Sequence, residues 1–178
     1  MERPNKRVLQ VGDAAGRAPT RVEGPASTSL QVISSSALLP VAHLVGLVLG
    51  AGSATVKLVL LLKCGADHAF VPAYITVARL ITRQIILGLV LLTLSGIGWP
   101  LLGYPFTPLL IVKGVPVAAI WVLGPVIDNV VEPQFHKLAP APGALPSPPF
   151  VRIYKRYLTL EVIATLLFYT IIVIWVWN

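Results

Sequence analysis

Four long apolar runs make up most of this chain, and ionisable residues sit inside every one of them. His43 and Lys57 fall in the first, Arg79 and Arg83 in the second, Lys113 and Asp128 in the third, and Glu161 in the fourth. About 20 consecutive apolar residues cross a bilayer, so the runs read as membrane-spanning helices at residues 35–62, 73–98, 106–131 and 156–177. An ionisable group at mid-bilayer costs roughly 2.5–3.5 kcal/mol on insertion scales. These residues are therefore expected to face one another inside a helical bundle, and function is sought among them.

Composition excludes the main alternatives. Hydrophobic residues make up 56% of the 178 positions and charged residues 12%, against about a quarter charged in soluble domains. The net charge of +7 raises nucleic-acid binding, but the basic residues flank apolar runs and do not interleave with aromatics, so no nucleic-acid partner is expected. One cysteine, Cys64, permits neither an internal disulfide nor a cysteine-cluster metal site. There is no glycine-rich phosphate loop, paired-histidine zinc motif or nucleophile elbow, because the glycines of GLVLGAG lie within a span and follow no strand.

The connections predict topology. KCGADHAF and WPLLGYPF are short, which makes the first three spans antiparallel neighbours and implies an all-α, up-down-up-down four-helix bundle in the lipid bilayer. The third connection, HKLAPAPGALPSPPF, is proline-rich and reads as an extended linker. Residues 1–34 form a polar tail, expected to be disordered or docked on a complex. Lys57, Lys63, Arg79, Arg83, Lys137, Arg152, Lys155 and Arg156 cluster near the first and third connections. The positive-inside rule then puts both chain ends outside the cytoplasm, in a bacterial inner membrane.

Antiparallel packing sorts the intramembrane charges into two layers. Lys57, Arg79 and Arg83 meet Asp128, Glu132 and Glu161 near one surface, three positive groups against three negative. Arg79 and Arg83 are four residues apart and share a helix face, as do Asp128 and Glu132. This layer reads either as a structural ion-pair network or as a proton or anion path. His43 and Lys113 lie about two turns into their spans beneath the other surface, on the order of 10 Å deep.

His43 is the sharpest candidate for chemistry, as an axial ligand to haem or a transition metal or as a histidine hydrogen-bonded to a neighbouring helix. Gly46 and Gly50, on the same helix stripe, allow close approach of a neighbouring backbone or a flat ligand. Neither of the other histidines, His68 and His136, suits a second axial position, so a haem would need Lys113, water or a residue from another chain. Pro116 and Pro125 are expected to kink the third span. Trp99, Trp175 and Trp177 belong to one interfacial belt, and Trp121 to packing. The polar tail and the proline-rich loop also suit an accessory subunit of a larger membrane complex, or a homo-oligomer.

The order of these features resembles the four-span superfamily of HemJ-type protoporphyrinogen oxidase, the CopD domain and DUF2269 membrane proteins. The resemblance spans residues 37–177. It rests on AHLVGLVLGAGSATVKL with His43 and Lys57, RLITRQIILGLVLLTLSGIGW in the second span, PLLIVKGVPVAAIWV with Lys113, and VRIYKRYLTLEVIATLLFYTIIVIWV with Arg152 and Glu161. His43 stands closer to Lys57 than in the HemJ pattern, and the tryptophan and Pro-Arg of its first span are missing. The resemblance implies a haem b at His43 and, by analogy, oxidation of a tetrapyrrole. Copper handling is disfavoured, because the one Met opens the chain and the one Cys lies in a connection.

Overall fold

A computed structural model describes residues 26–176 apart from 106 and 142, with side chains from residue 38 onward except that of Trp175. Helix α1 runs Ala26–Ala66, α2 Val71–Leu101, α3 Pro108–Val126, α4 Glu132–Leu138 and α5 Pro148–Val176. Four segments are long and apolar enough to cross a membrane: Leu38–Ala66, His68–Leu101, Pro108–Leu138 and Pro148–Ile174. The protein is an integral membrane four-helix bundle, with no strand among the described residues.

Proline and aspartate set the helix boundaries. Asp67 leaves helical geometry after α1, and its carboxylate accepts from the backbone N–H of Ala69 at 3.0 Å. A short 3₁₀ turn, His68–Phe70, then leads into α2. Pro72, Pro108, Pro133 and Pro148 each fall in the first turn of a helix, where a missing N–H removes no intrahelical bond. Gly103, at φ +86°, turns the chain between α2 and α3 with a left-handed residue that suits glycine.

Three sequence expectations change. The polar tail was expected to reach residue 34, yet α1 begins at Ala26; residues 1–25 lie outside the described residues. Among the described residues the proline-rich connection is non-helical only over 139–141 and 143–147, since α4 occupies its start and Pro148 opens α5. α3 continues through Pro116 and Pro125, and the disturbance appears one turn later as a π-helical segment at Ile127–Val131. There the Asn129 side chain donates to the Pro125 carbonyl at 3.0 Å.

Helix neighbours also depart from a symmetric bundle. α1 packs along α2 and against α5, and α5 packs against α3, whereas α2 and α3 barely touch. The α1–α2 contact is backbone to backbone. A Cβ on Gly88 would stand 2.4 Å from the Gly50 nitrogen and 2.8 Å from the Gly46 carbonyl oxygen, so Gly46 and Gly50 bring two helices together in the manner of small-residue membrane interfaces. Two apolar clusters fill the bundle. Tyr74, Phe135, Phe150 and Tyr157 dominate the one near the first and third connections; Leu47, Leu92, Ile120, Phe168 and Ile171 form the other.

Candidate functional site

The intramembrane polar residues gather at two places, separated along α1 by the fourteen-residue step from His43 to Lys57, about 21 Å at the helical rise. The ion cluster lies toward the first and third connections. Lys57 Nζ is 2.8 Å from Glu161 Oε1, 3.1 Å from Glu132 Oε2 and 3.5 Å from Asp128 Oδ1. Side-chain exposure is 2% for Lys57, 3% for Glu161, 11% for Glu132 and 26% for Asp128. The π-helical segment carries Asp128 and leads directly into Glu132, so both carboxylates reach the ammonium.

Glu132 has the fullest set of partners. Its Oε2 accepts from Lys57 Nζ and, at 2.9 Å, from the Tyr157 hydroxyl. With the Tyr157 proton so committed, the Tyr74 hydroxyl, 2.8 Å away, donates to Tyr157. His136 Nε2 approaches Glu132 Oε1 only to 3.8 Å. Taking an ion from water into such surroundings costs several kcal/mol even after relaxation, and the tyrosine relay offsets part of that cost for Glu132.

The arginines correct the expected balance. Arg79 and Arg83 do share a face of α2, but it is an exposed face, and neither forms a salt bridge among the described residues. Three positive and three negative groups were expected; one lysine meets three carboxyl groups. The face of α2 that packs on α1 is set by Ala78, Gly88 and Leu92, and that rotation carries both guanidinium groups outward.

The second place is a cleft in the seam where α2 and α3 part. A cavity of about 500 Å³ opens there, lined chiefly by apolar side chains together with His43, Thr93 and Lys113. A second cavity of about 360 Å³ shares His43, Gly96, Pro100, Leu110 and Lys113 with it and extends to Trp99, Tyr104 and Thr107. The cleft therefore runs from mid-bundle toward the α2–α3 turn. At its inner end, the Trp121 indole N–H donates to Thr93 Oγ1 at 3.0 Å across the seam, giving Trp121 a bridging role.

Ser95 orients the His43 ring. The Ser95 hydroxyl donates to the Leu91 carbonyl at 2.7 Å, so its lone pairs face His43 Nδ1, 2.9 Å away. In the tautomer that donates from Nδ1 to Ser95, Nε2 keeps its lone pair with no hydrogen-bond partner among the described residues. Ligating histidines are oriented by a hydrogen bond from the other ring nitrogen, most often to a carboxylate, backbone carbonyl or water; here a backbone-tethered hydroxyl takes that place. Lys113, on α3, contributes the one other ionisable side chain to the same cavity.

Gly46 and Gly50 do not line the cleft. Gly46 meets Gly88 and Leu92, and Gly50 meets the Phe168 ring, so the room for a flat ligand that the sequence suggested at these positions is taken by α2 and α5. Gly96 on α2 and Gly114 on α3 line the cavity instead, and a Cβ added to either would meet nothing within 4 Å. Sequence reasoning passed over both, and over Ser95. The available signal was glycine on two successive spans, at the depth of the histidine.

Comparison with family models, curated proteins and solved structures gives no match. The resemblance noted in the sequence therefore stands on its own residues. No group of three or more His, Cys, Asp or Glu side chains arranged to hold a metal occurs among the described residues. Cys64 is fully buried. Lys63, its sequence neighbour, instead lies 4.5 Å from the Phe70 ring centre. Trp177 and the side chain of Trp175 lie outside the described residues.

Proposed function

We propose that this membrane protein binds a flat, largely apolar cofactor of the haem b class in the α2–α3 cleft, where His43 Nε2 would hold it. The observation that carries the reading is an imidazole fixed by Ser95 at the wall of an apolar cavity of about 500 Å³, within the roughly 300–1,000 Å³ typical of small-molecule and cofactor sites. The donor set suits the group: one neutral imidazole nitrogen, one amine, and two glycines where a ring can lie against helix backbone. Bound haem would supply one-electron chemistry. The chain itself contributes orientation through Ser95 and water exclusion through Leu92, Val117 and Ile171. Lys113, which lines the same cavity, would contribute either a cation for an acidic substituent or a second nitrogen to hold the group.

Absorption spectroscopy tests the reading. Protein purified from haem-replete cells should carry a Soret band that His43→Ala abolishes and Ser95→Ala weakens or shifts. Colourless, folded protein would reject it. Lys63, Arg79, Arg83, Lys137, Arg152, Lys155 and Arg156 crowd the end of the bundle opposite the cleft. That distribution supports an orientation in a bacterial inner membrane with the cleft toward the outer side.

Arg79 and Arg83 favour a second reading, an accessory subunit of a larger membrane complex. Two guanidinium groups on an exposed face of a spanning helix suit acidic side chains on a neighbouring subunit. Co-purification with larger partners in mild detergent, lost in the Arg79→Gln/Arg83→Gln double variant, is the expected outcome. A protein that remains alone under those conditions removes this reading.

A further inference from the structure

We propose that the Lys57 cluster is a proton-binding site, holding a proton on the Asp128–Glu161 pair and exchanging it through water beside them. Charge counting begins the argument: one ammonium faces three carboxyl groups, and fully ionised they would leave an excess of two negative charges inside the bundle. A metal cation does not suit the site, because Lys57 Nζ already occupies the position between the three carboxyl groups, 2.8–3.5 Å from an oxygen of each. The proton is the cation small enough to add.

Every element around the cluster bears on where that proton sits. α1 supplies Lys57. α2 supplies the Tyr74 hydroxyl, with Arg79 and Arg83 turned to its exposed face. α4 supplies Glu132 and His136, the latter 3.8 Å from Glu132 Oε1. α5 supplies Tyr157 and Glu161. Glu132 receives both the Lys57 and Tyr157 donors on one oxygen, the pattern of a carboxylate kept ionised. Lys57 and Glu132 form the neutral pair, which leaves Asp128 and Glu161 as the groups in excess.

A second observation is independent of the charge count. A cavity of about 30 Å³ is lined by Lys57, Thr82, Asp128 and Glu161 among apolar neighbours. Glu161 Oε1 and Thr82 Oγ1 are both buried without a hydrogen-bond partner, Lys57 Nζ meeting Glu161 Oε1 as an ion pair at 2.8 Å. The space exceeds the roughly 10–15 Å³ that one water needs, and polar groups on several sides meet the requirement of two to four partners. Asp128, the most exposed of the three carboxyl groups, is the side from which a hydronium delivers its proton and leaves as water.

Infrared spectroscopy of the full chain in lipid nanodiscs, in H₂O and in D₂O at neutral pH, tests the site. The expected result is a carboxylic-acid C=O band in the parent protein that shifts on deuteration and is lost in the Asp128→Asn/Glu161→Gln double variant. Glu161 is the more buried member of the pair and so the one that holds the proton, and Glu161→Gln alone should retain the parent melting temperature, because an amide replaces a neutral acid. A purely ionic network gives the opposite pair of results: no such band in the folded parent, and a clear fall in melting temperature for Glu161→Gln. Either outcome overturns the proposal, as does a band that survives the double substitution.

Discussion

The two polar regions of this bundle lie on the same helix, and they differ in how far their groups are satisfied. Around Lys57 three carboxyl groups and two tyrosines from the same chain converge on one ammonium, in surroundings closed by Tyr74, Phe135 and Tyr157. Around His43 a single hydrogen bond, to Ser95, orients the ring, and a cavity extends from there between α2 and α3. A membrane protein gains little by burying apolar surface among its own helices, since lipid is equally apolar. Polar contacts and close glycine packing then decide where helices meet. The first region is where they meet, and the second is where they do not.

The sharpest way to break this contrast is to remove the cation. Lys57→Met should destabilise the protein by about 3–5 kcal/mol, the range found when one partner of a buried ion pair is deleted, read as a large fall in melting temperature in detergent. A variant that melts with its parent would show that the cluster does not hold the helices together. Gly88→Val comes next, because the added side chain meets α1 backbone that has no rotamer with which to yield. Overpacking of this kind costs about 1–3 kcal/mol, and it should loosen both regions together.

Smaller effects test the other side. His43→Ala should cost about 1 kcal/mol, the net worth of one hydrogen bond, while abolishing any cofactor absorbance; a loss of stability comparable to that of Lys57→Met would make the cleft structural. Arg79→Gln and Arg83→Gln should leave the melting temperature of the isolated protein unchanged. If either matched Lys57→Met, the one-against-three charge balance would be wrong.

The spans and the two polar depths were legible because they depend on distance along the chain. Apolar length marks the helices, and antiparallel packing brings His43 level with Lys113 and Lys57 level with Asp128, Glu132 and Glu161. Helix rotation was not legible. In a soluble protein a polar face shows which side points outward, but α2 presents Leu80, Ile86, Leu87 and Leu94 to its exterior and much the same residue types to α1. Nothing in its sequence pattern therefore separates an inward Arg79 from an outward one. The π-helical segment was hidden for a related reason, since Pro125 announces a disturbance without saying which turn absorbs it. Ser95 and the Tyr74–Tyr157 relay depend on the same rotations.

The order of the charged residues along the chain has a consequence for biosynthesis. Lys57 belongs to the α1–α2 hairpin, which the glycine contact at Gly46, Gly50 and Gly88 can assemble as soon as both helices leave the ribosome. All three of its carboxyl partners are encoded later, on the segment from α3 to α5. During synthesis the first hairpin thus carries an uncompensated lysine, and the nascent second half brings the groups that neutralise it. Docking of the two halves along α1 and α5 is then guided by charge, and a chain arrested before Asp128 would present quality-control proteases with an unpaired cation in the membrane.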